Sequence, residues 1–150
     1  MYKEYSPCSV LAPFIYHFWE YKGETRSGLK FNIPPHGCSD LVFIVGNAAD
    51  CIRNSLIMKP YHSYFFGPMN TFTELVAHTN FIHIIGVRFR PCGLFQFIEI
   101  PLNELANQGI DSQEFPVLFS QSFIYQLCES NQNPIDIIEH ELVRQVYKNN

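Results

Sequence analysis

The stretch Ile85-Gly86-Val87-Arg88-Phe89-Arg90-Pro91-Cys92-Gly93-Leu94 decides the reading of this chain. The run from Phe81 to Phe89 is rich in β-branched and aromatic residues, the composition of a half-buried strand. Pro91 and Gly93 stop it. From Leu94 to Ile100 the residues suit a short helix. Strands are therefore expected upstream (residues 1–91) and helices downstream (92–150). Strands followed by helices define an α+β domain.

Upstream, the same signals recur at short intervals. His17 to Lys22 is aromatic-rich, and Leu29, Phe31 and Ile33 alternate onto one face. Asp40-Leu41-Val42-Phe43-Ile44-Val45-Gly46 is an apolar run between turn residues, as expected of a strand buried on both faces. Weaker strands are expected around 51–58, 63–66 and 71–77. Six to eight short strands at this spacing predict an antiparallel barrel or sandwich. Residues 1–13 read as an arm or edge segment. Downstream, Pro101 to Leu105 starts a helix, Gly109 sits in a linker, and Pro116 to Cys128 has near-helical spacing. Asn133-Pro134, with Asp136 in the first turn, is a helix start. Ile135, Ile138, Leu142 and Val146 then form one apolar stripe. No repeat or domain boundary interrupts the chain, so 1–150 is read as one domain.

Composition narrows the function. Hydrophobic residues make up 47% of the chain, enough for a sizeable core. The aromatic share of 15% favours a sheet-rich fold or an aromatic-lined pocket. Charged residues reach only 16%, so part of the surface is expected to meet a partner. The net charge is −4 and no Lys/Arg cluster is visible, which argues against direct nucleic-acid binding. Five scattered cysteines without a CxxC pattern suggest reduced thiols in a cytoplasmic protein. No signal core or membrane-length apolar run is present.

Three motifs stand in a fixed order: Pro35-His36-Gly37-Cys38-Ser39-Asp40-Leu41-Val42-Phe43, Phe65-Phe66-Gly67, and Gly86-Val87-Arg88-Phe89-Arg90-Pro91-Cys92-Gly93, preceded by the aromatic segment Tyr16 to Tyr21. In order and spacing, over about residues 13 to 110, they resemble the amino-terminal sensing domain of AraC-type bacterial transcription regulators. Two positions depart from that pattern. Cys92 stands where glycine is usual, and His36 where an acidic residue is common. The resemblance implies a cupin-like antiparallel β-barrel followed by helices. It also implies a small-molecule effector, a homodimer joined through the helices, no catalysis and no cofactor. DNA would be contacted only by a carboxy-terminal helix-turn-helix domain outside this sequence. The alternative is a stand-alone cupin-like small-molecule-binding protein or enzyme.

The candidate ligand residues are Trp19, Tyr21, His36, Phe43, Phe66, Arg88 and Arg90. Arg88 and Arg90 lie two apart, so on a strand they share a face and could clamp a carboxylate or phosphate. The commoner use is structural: pairing with acidic side chains across the sheet, or holding the chain near the Pro91 turn. The aromatics could line a pocket or simply fill the core, their commoner use. His36, Cys38 and Asp40 have metal-ligand residue types, but the turn at Gly37 spoils their geometry and no His-x-His pair exists, so no metal is expected. Cys92 suits a turn better than a nucleophile's role. The stripe Ile135, Ile138, Leu142 and Val146 could serve dimerisation or pack on the protein's own core, again the commoner use.

Overall fold

The computed structural model describes residues 1–24, 30–33, 37–45, 51–53, 56–70, 73–77, 79–99, 106, 108–114 and 118–149. Among them, ten strands form two antiparallel sheets. They are β1 (Tyr2–Tyr5), β2 (Ile15–Glu24), β3 (Lys30–Ile33), β4 (Ser39–Ile44), β5 (Cys51–Arg53), β6 (Leu56–Met58), β7 (Ser63–Phe66), β8 (Thr73–Ala77), β9 (Phe81–Phe89) and β10 (Gly109–Asp111). The larger sheet has the order β1-β2-β9-β4-β7-β10 and the smaller β3-β8-β5-β6. Two helices close the chain, α1 (Gln121–Glu129) and α2 (Pro134–Lys148). The α+β class and the order of strands then helices match the sequence expectation. β3 carries Phe31 and Ile33 of the expected alternation, while Leu29 and the helix start at Pro101 to Leu105 lie outside the described residues.

Strand alternation divides the larger sheet into two working faces. In the β4–β9 register, Leu41 opposes Val87 and Phe43 opposes Ile85. These residues join Ile15, Phe18, Phe65 and Phe89 in a core shared with the helices, including Ile124 and Leu127 of α1. On the other face Asp40 opposes Arg88, Val42 opposes Gly86 and Ile44 opposes Ile84. That face packs on the smaller sheet, where Val42, Ile44, Tyr64, Phe66, Ile82 and Ile84 meet Met58 and Ala77. β4 is buried throughout because both of its faces are covered, the reason its sequence is a continuous apolar run.

The helices form where the caps allow. Ser120 accepts a hydrogen bond from the Phe123 amide at 3.0 Å and so starts α1 at Gln121, later than the spacing from Pro116 suggested. Asn133 caps α2 through the Ile135 amide, with Pro134 in the first turn, as expected. The Pro91 turn leads into one short 3-10 turn, Gly93–Gln96, rather than a helix to Ile100. Cys92 takes a left-handed backbone with φ 64°, the conformation for which glycine is the usual choice. Gly93 is needed for contact: a Cβ there would lie 2.1 Å from the Phe14 carbonyl oxygen.

Of the two uses expected for the apolar stripe, this packing shows the stripe on the protein's own core. Ile135, Ile138, Leu142 and Val146 are no more than 5% exposed and belong to the core beneath the larger sheet. Their apolar surface is consumed inside the chain because α2 lies across the outer face of that sheet. Glu139, on the same helix, accepts a hydrogen bond from the Cys8 amide at 2.9 Å and ties α2 to the amino-terminal segment.

Candidate functional site

Two rungs on the inner face of the larger sheet carry most of its polar chemistry. One runs Glu4, Trp19, Gly86, Val42, Tyr64 and Asp111 across all six strands. The next runs His17, Arg88, Asp40, Phe66 and Gly109. Residues in one rung are nearest neighbours on the face, so distant parts of the sequence meet here.

Arg88 and Asp40 form a two-pronged ion pair, Nε to Oδ1 at 3.0 Å and Nη2 to Oδ2 at 3.2 Å. The fork geometry matches a carboxylate, and Asp40 is buried. Next to the pair, the Trp19 indole lies flat over Gly86. A Cβ on Gly86 would fall 1.9 Å from Trp19 Cε2 and 2.1 Å from its Nε1, so the absence of a side chain creates the seat for the ring. The ring of Tyr2 stacks on Trp19 at 6.2 Å, and its hydroxyl donates to Glu4 Oε2 at 2.8 Å. Burial first, then this bond to a carboxylate, push the Tyr2 hydroxyl up to about 12. Phe66 is seated in the same way over Gly109 in the neighbouring rung.

Two polar atoms in this cluster are buried and find no hydrogen-bond partner among the described residues: Trp19 Nε1 and His17 Nε2. His17 Nε2 lies 3.5 Å from Glu4 Oε2, close enough for attraction but without hydrogen-bond geometry. Buried polar atoms are nearly always paired, so these two, set two residues apart on one face of β2, call for a water or a small molecule as partner.

Gly86→Ala is expected to lower stability by about 1–3 kcal/mol, the usual range for overpacking, and to shift the Trp19 emission as the indole is displaced. Urea titration followed by fluorescence measures both. Trp19→Leu in the same chain, which removes the single tryptophan, should recover part of the loss when unfolding is followed by circular dichroism.

Burial holds the His17 imidazole below its ordinary pKa of 6.5, and Glu4 only partly offsets this. Protonation therefore begins in the unfolded chain first. Stability is full above pH 6.5 and falls as pH drops through that value, levelling below the folded-state pKa. Urea midpoints at pH 7.5 and pH 5 should show the fall, and His17→Gln should reduce it. An unchanged slope in the variant would assign the fall to other groups.

The structure separates the sequence-level candidates. Trp19, Tyr21, Phe66 and Arg88 share the inner face. Phe43 does not: it points to the helices and packs edge-on against Phe119 at 5.3 Å. Phe43 is three residues from Asp40 on one strand, and odd spacing places the two on opposite faces. Arg90 also leaves the set, because β9 ends at Phe89 and the chain turns. The Arg90 amide donates to the Phe14 carbonyl at 2.8 Å, its Nε donates to the Ala12 carbonyl at 2.7 Å, and its guanidinium lies 4.3 Å from the Tyr16 ring centroid. The two arginines thus take the structural uses, Arg88 in an ion pair across the sheet and Arg90 holding the amino-terminal segment near the Pro91 turn, and do not form a two-arginine clamp. His36 lies outside the described residues. Glu4 and His17 join the site without having been singled out, and Asp40, weighed only as a metal ligand, joins it as the partner of Arg88. The loose alternation in β2 was their available signal, but partnering across strands is set by register. Among the described residues, no group of three or more His, Cys, Asp or Glu is placed to hold a metal.

Fold and site together define an α+β domain of two facing antiparallel sheets with a polar, aromatic-flanked cluster between them. Residues 3–111 match the model of DUF6597, a domain of unknown function, and the chain belongs to that family. No curated protein matches the sequence. Three solved structures are similar. One is a cupin domain of an XRE-family transcriptional regulator from Enterobacter cloacae, with 12% identity over 61% of this chain and 96% of that one, TM-score 0.47. The second is a cupin conserved-barrel protein from Salinispora arenicola CNS-205, with 13% identity over 63% of this chain and 79% of that one, TM-score 0.44. The third is the plu4264 protein from Photorhabdus luminescens, with 12% identity over 52% of this chain and 67% of that one, TM-score 0.38. No helix among the described residues is long and apolar enough to cross a membrane.

Proposed function

We propose that this domain is the effector-sensing part of an AraC-type transcription regulator and that it acts without catalysis. The observation that carries the reading is the pair of unpartnered buried atoms, Trp19 Nε1 and His17 Nε2, beside the Arg88–Asp40 pair. A small molecule between the sheets would satisfy them. The motif order supports the assignment to a regulator, since the Asp40 of the first motif and the Arg88 of the last are the two halves of that ion pair. A net charge of −4 and the lack of a Lys/Arg cluster in the sequence suit a domain that leaves operator contact to another one. The effector shifts a pre-existing equilibrium by binding one arrangement of the sheets better than another.

Cross-linking the chromosomally expressed gene product to DNA and sequencing the recovered fragments tests the reading. Enrichment at a few promoters is expected. Trp19→Phe, which removes the indole donor, should leave the protein bound but change transcription from those promoters. Absence of enrichment at any promoter overturns the regulator reading.

A further inference from the structure

The charge balance of the inter-sheet cluster limits what it can hold. Arg88 is the cation of the two rungs, and both prongs of its guanidinium already engage Asp40. Glu4 adds a second carboxylate at the rim, bonded to the Tyr2 hydroxyl. Arg90, the second arginine of the motif, is spent on the Ala12 carbonyl outside the layer. Among the described residues, the cluster therefore holds more fixed negative than positive charge. An anion entering it beside Trp19 and His17 would meet Asp40 and Glu4 with no arginine charge left uncompensated, while Asp111, the third carboxylate of the rungs, faces His62 at the opposite edge. The indole N–H of Trp19, by contrast, can only donate. It needs an acceptor, which an ammonium group cannot supply. His17 Nε2 can donate or accept according to its tautomer, so a hydroxyl or an amide could meet both atoms.

We propose that the site takes a small neutral molecule presenting a hydroxyl or carbonyl oxygen to Trp19 Nε1 and a second polar group to His17 Nε2, and that it rejects carboxylates and phosphates. This rests on the sensing reading and adds the ligand's chemical class. It reverses the anion clamp that two arginines on one strand suggested, because Asp40 neutralises one arginine and the end of β9 removes the other.

The chain has a single tryptophan, so its indole N–H gives one unambiguous resonance in a nitrogen-15 correlation spectrum. Matched sets of equal-sized fragments serve as probes, each with a neutral, an anionic and a cationic member; benzamide, benzoate and benzamidine form one set. Neutral members are expected to move the Trp19 indole resonance and to bind about tenfold or more tighter than their anionic counterparts. Asp40→Asn removes the charge that answers Arg88 and should narrow or reverse that preference. Anionic members that move the indole as strongly in the native protein overturn the ligand class while leaving a sensing site in place. A resonance that no member of any set moves removes the site, and the sensing reading with it. The native comparison decides the class whether or not the Asp40 variant folds.

Discussion

Asp40→Ala is expected to lower the unfolding free energy by about 3 kcal/mol or more, the scale for removing one partner of a buried ion pair. The cost comes from what is left behind. The Asp40 side chain is 8% exposed and that of Arg88 22%, so the guanidinium would keep its charge in a half-dry layer without its two-pronged partner. The pair also spans β4 and β9, the centre of the larger sheet, where Asp40 and Arg88 face each other in register. Chemical unfolding followed by circular dichroism measures the loss. The double variant Asp40→Leu with Arg88→Met should regain most of it, because apolar residues of similar volume often replace a buried pair at little cost. That pattern, a costly single change and a mild double one, would show that the pair is kept for more than stability. A single change costing under about 0.5 kcal/mol would instead place the pair in solvent-screened surroundings.

Much of this architecture is legible in the sequence because it rests on local signals. The apolar run of β4, the aromatic and β-branched content of β9, and the Asn133-Pro134 start of α2 each announce their element without reference to the rest of the chain. What was not legible depends on register, which only the assembled sheet sets. Asp40 and Arg88 were both in view as motif residues, yet nothing local shows that they share a rung. Gly109 reads as a linker residue because so short a segment carries no period; pairing with β7 makes Gly109–Asp111 a strand. Arg90 shares a face with Arg88 only if the strand runs one residue further, and β9 ends at Phe89. Phe43 joins the pocket candidates by residue type, although its parity sets it on the face opposite Asp40, which the structure covers with the helices. The unpaired Trp19 and His17 atoms have no signature in the sequence, since an unsatisfied donor is a property of its surroundings.

Leu142→Ala is expected to cost about 3 kcal/mol and to leave the oligomeric state unchanged. Leu142 is fully buried in the core that α2 forms with the larger sheet, so truncation removes apolar contact and opens a cavity. Tyr147 on the same helix is 66% exposed, and Tyr147→Ala should change stability by about 0.5 kcal/mol or less. The contrast separates the two uses of an amphipathic helix. If the stripe served a subunit interface, losing Leu142 would weaken association, and the unfolding midpoint would depend on protein concentration. For a stripe spent on the chain's own core, the midpoint falls equally at all concentrations. Sedimentation velocity of both variants beside the native protein, with unfolding at two concentrations, distinguishes these outcomes. A loss of association in Leu142→Ala with little loss of stability would restore the stripe to an interface. The expected result leaves any second copy to dock on the solvent side of the helices, where Tyr125 and Tyr147 are exposed.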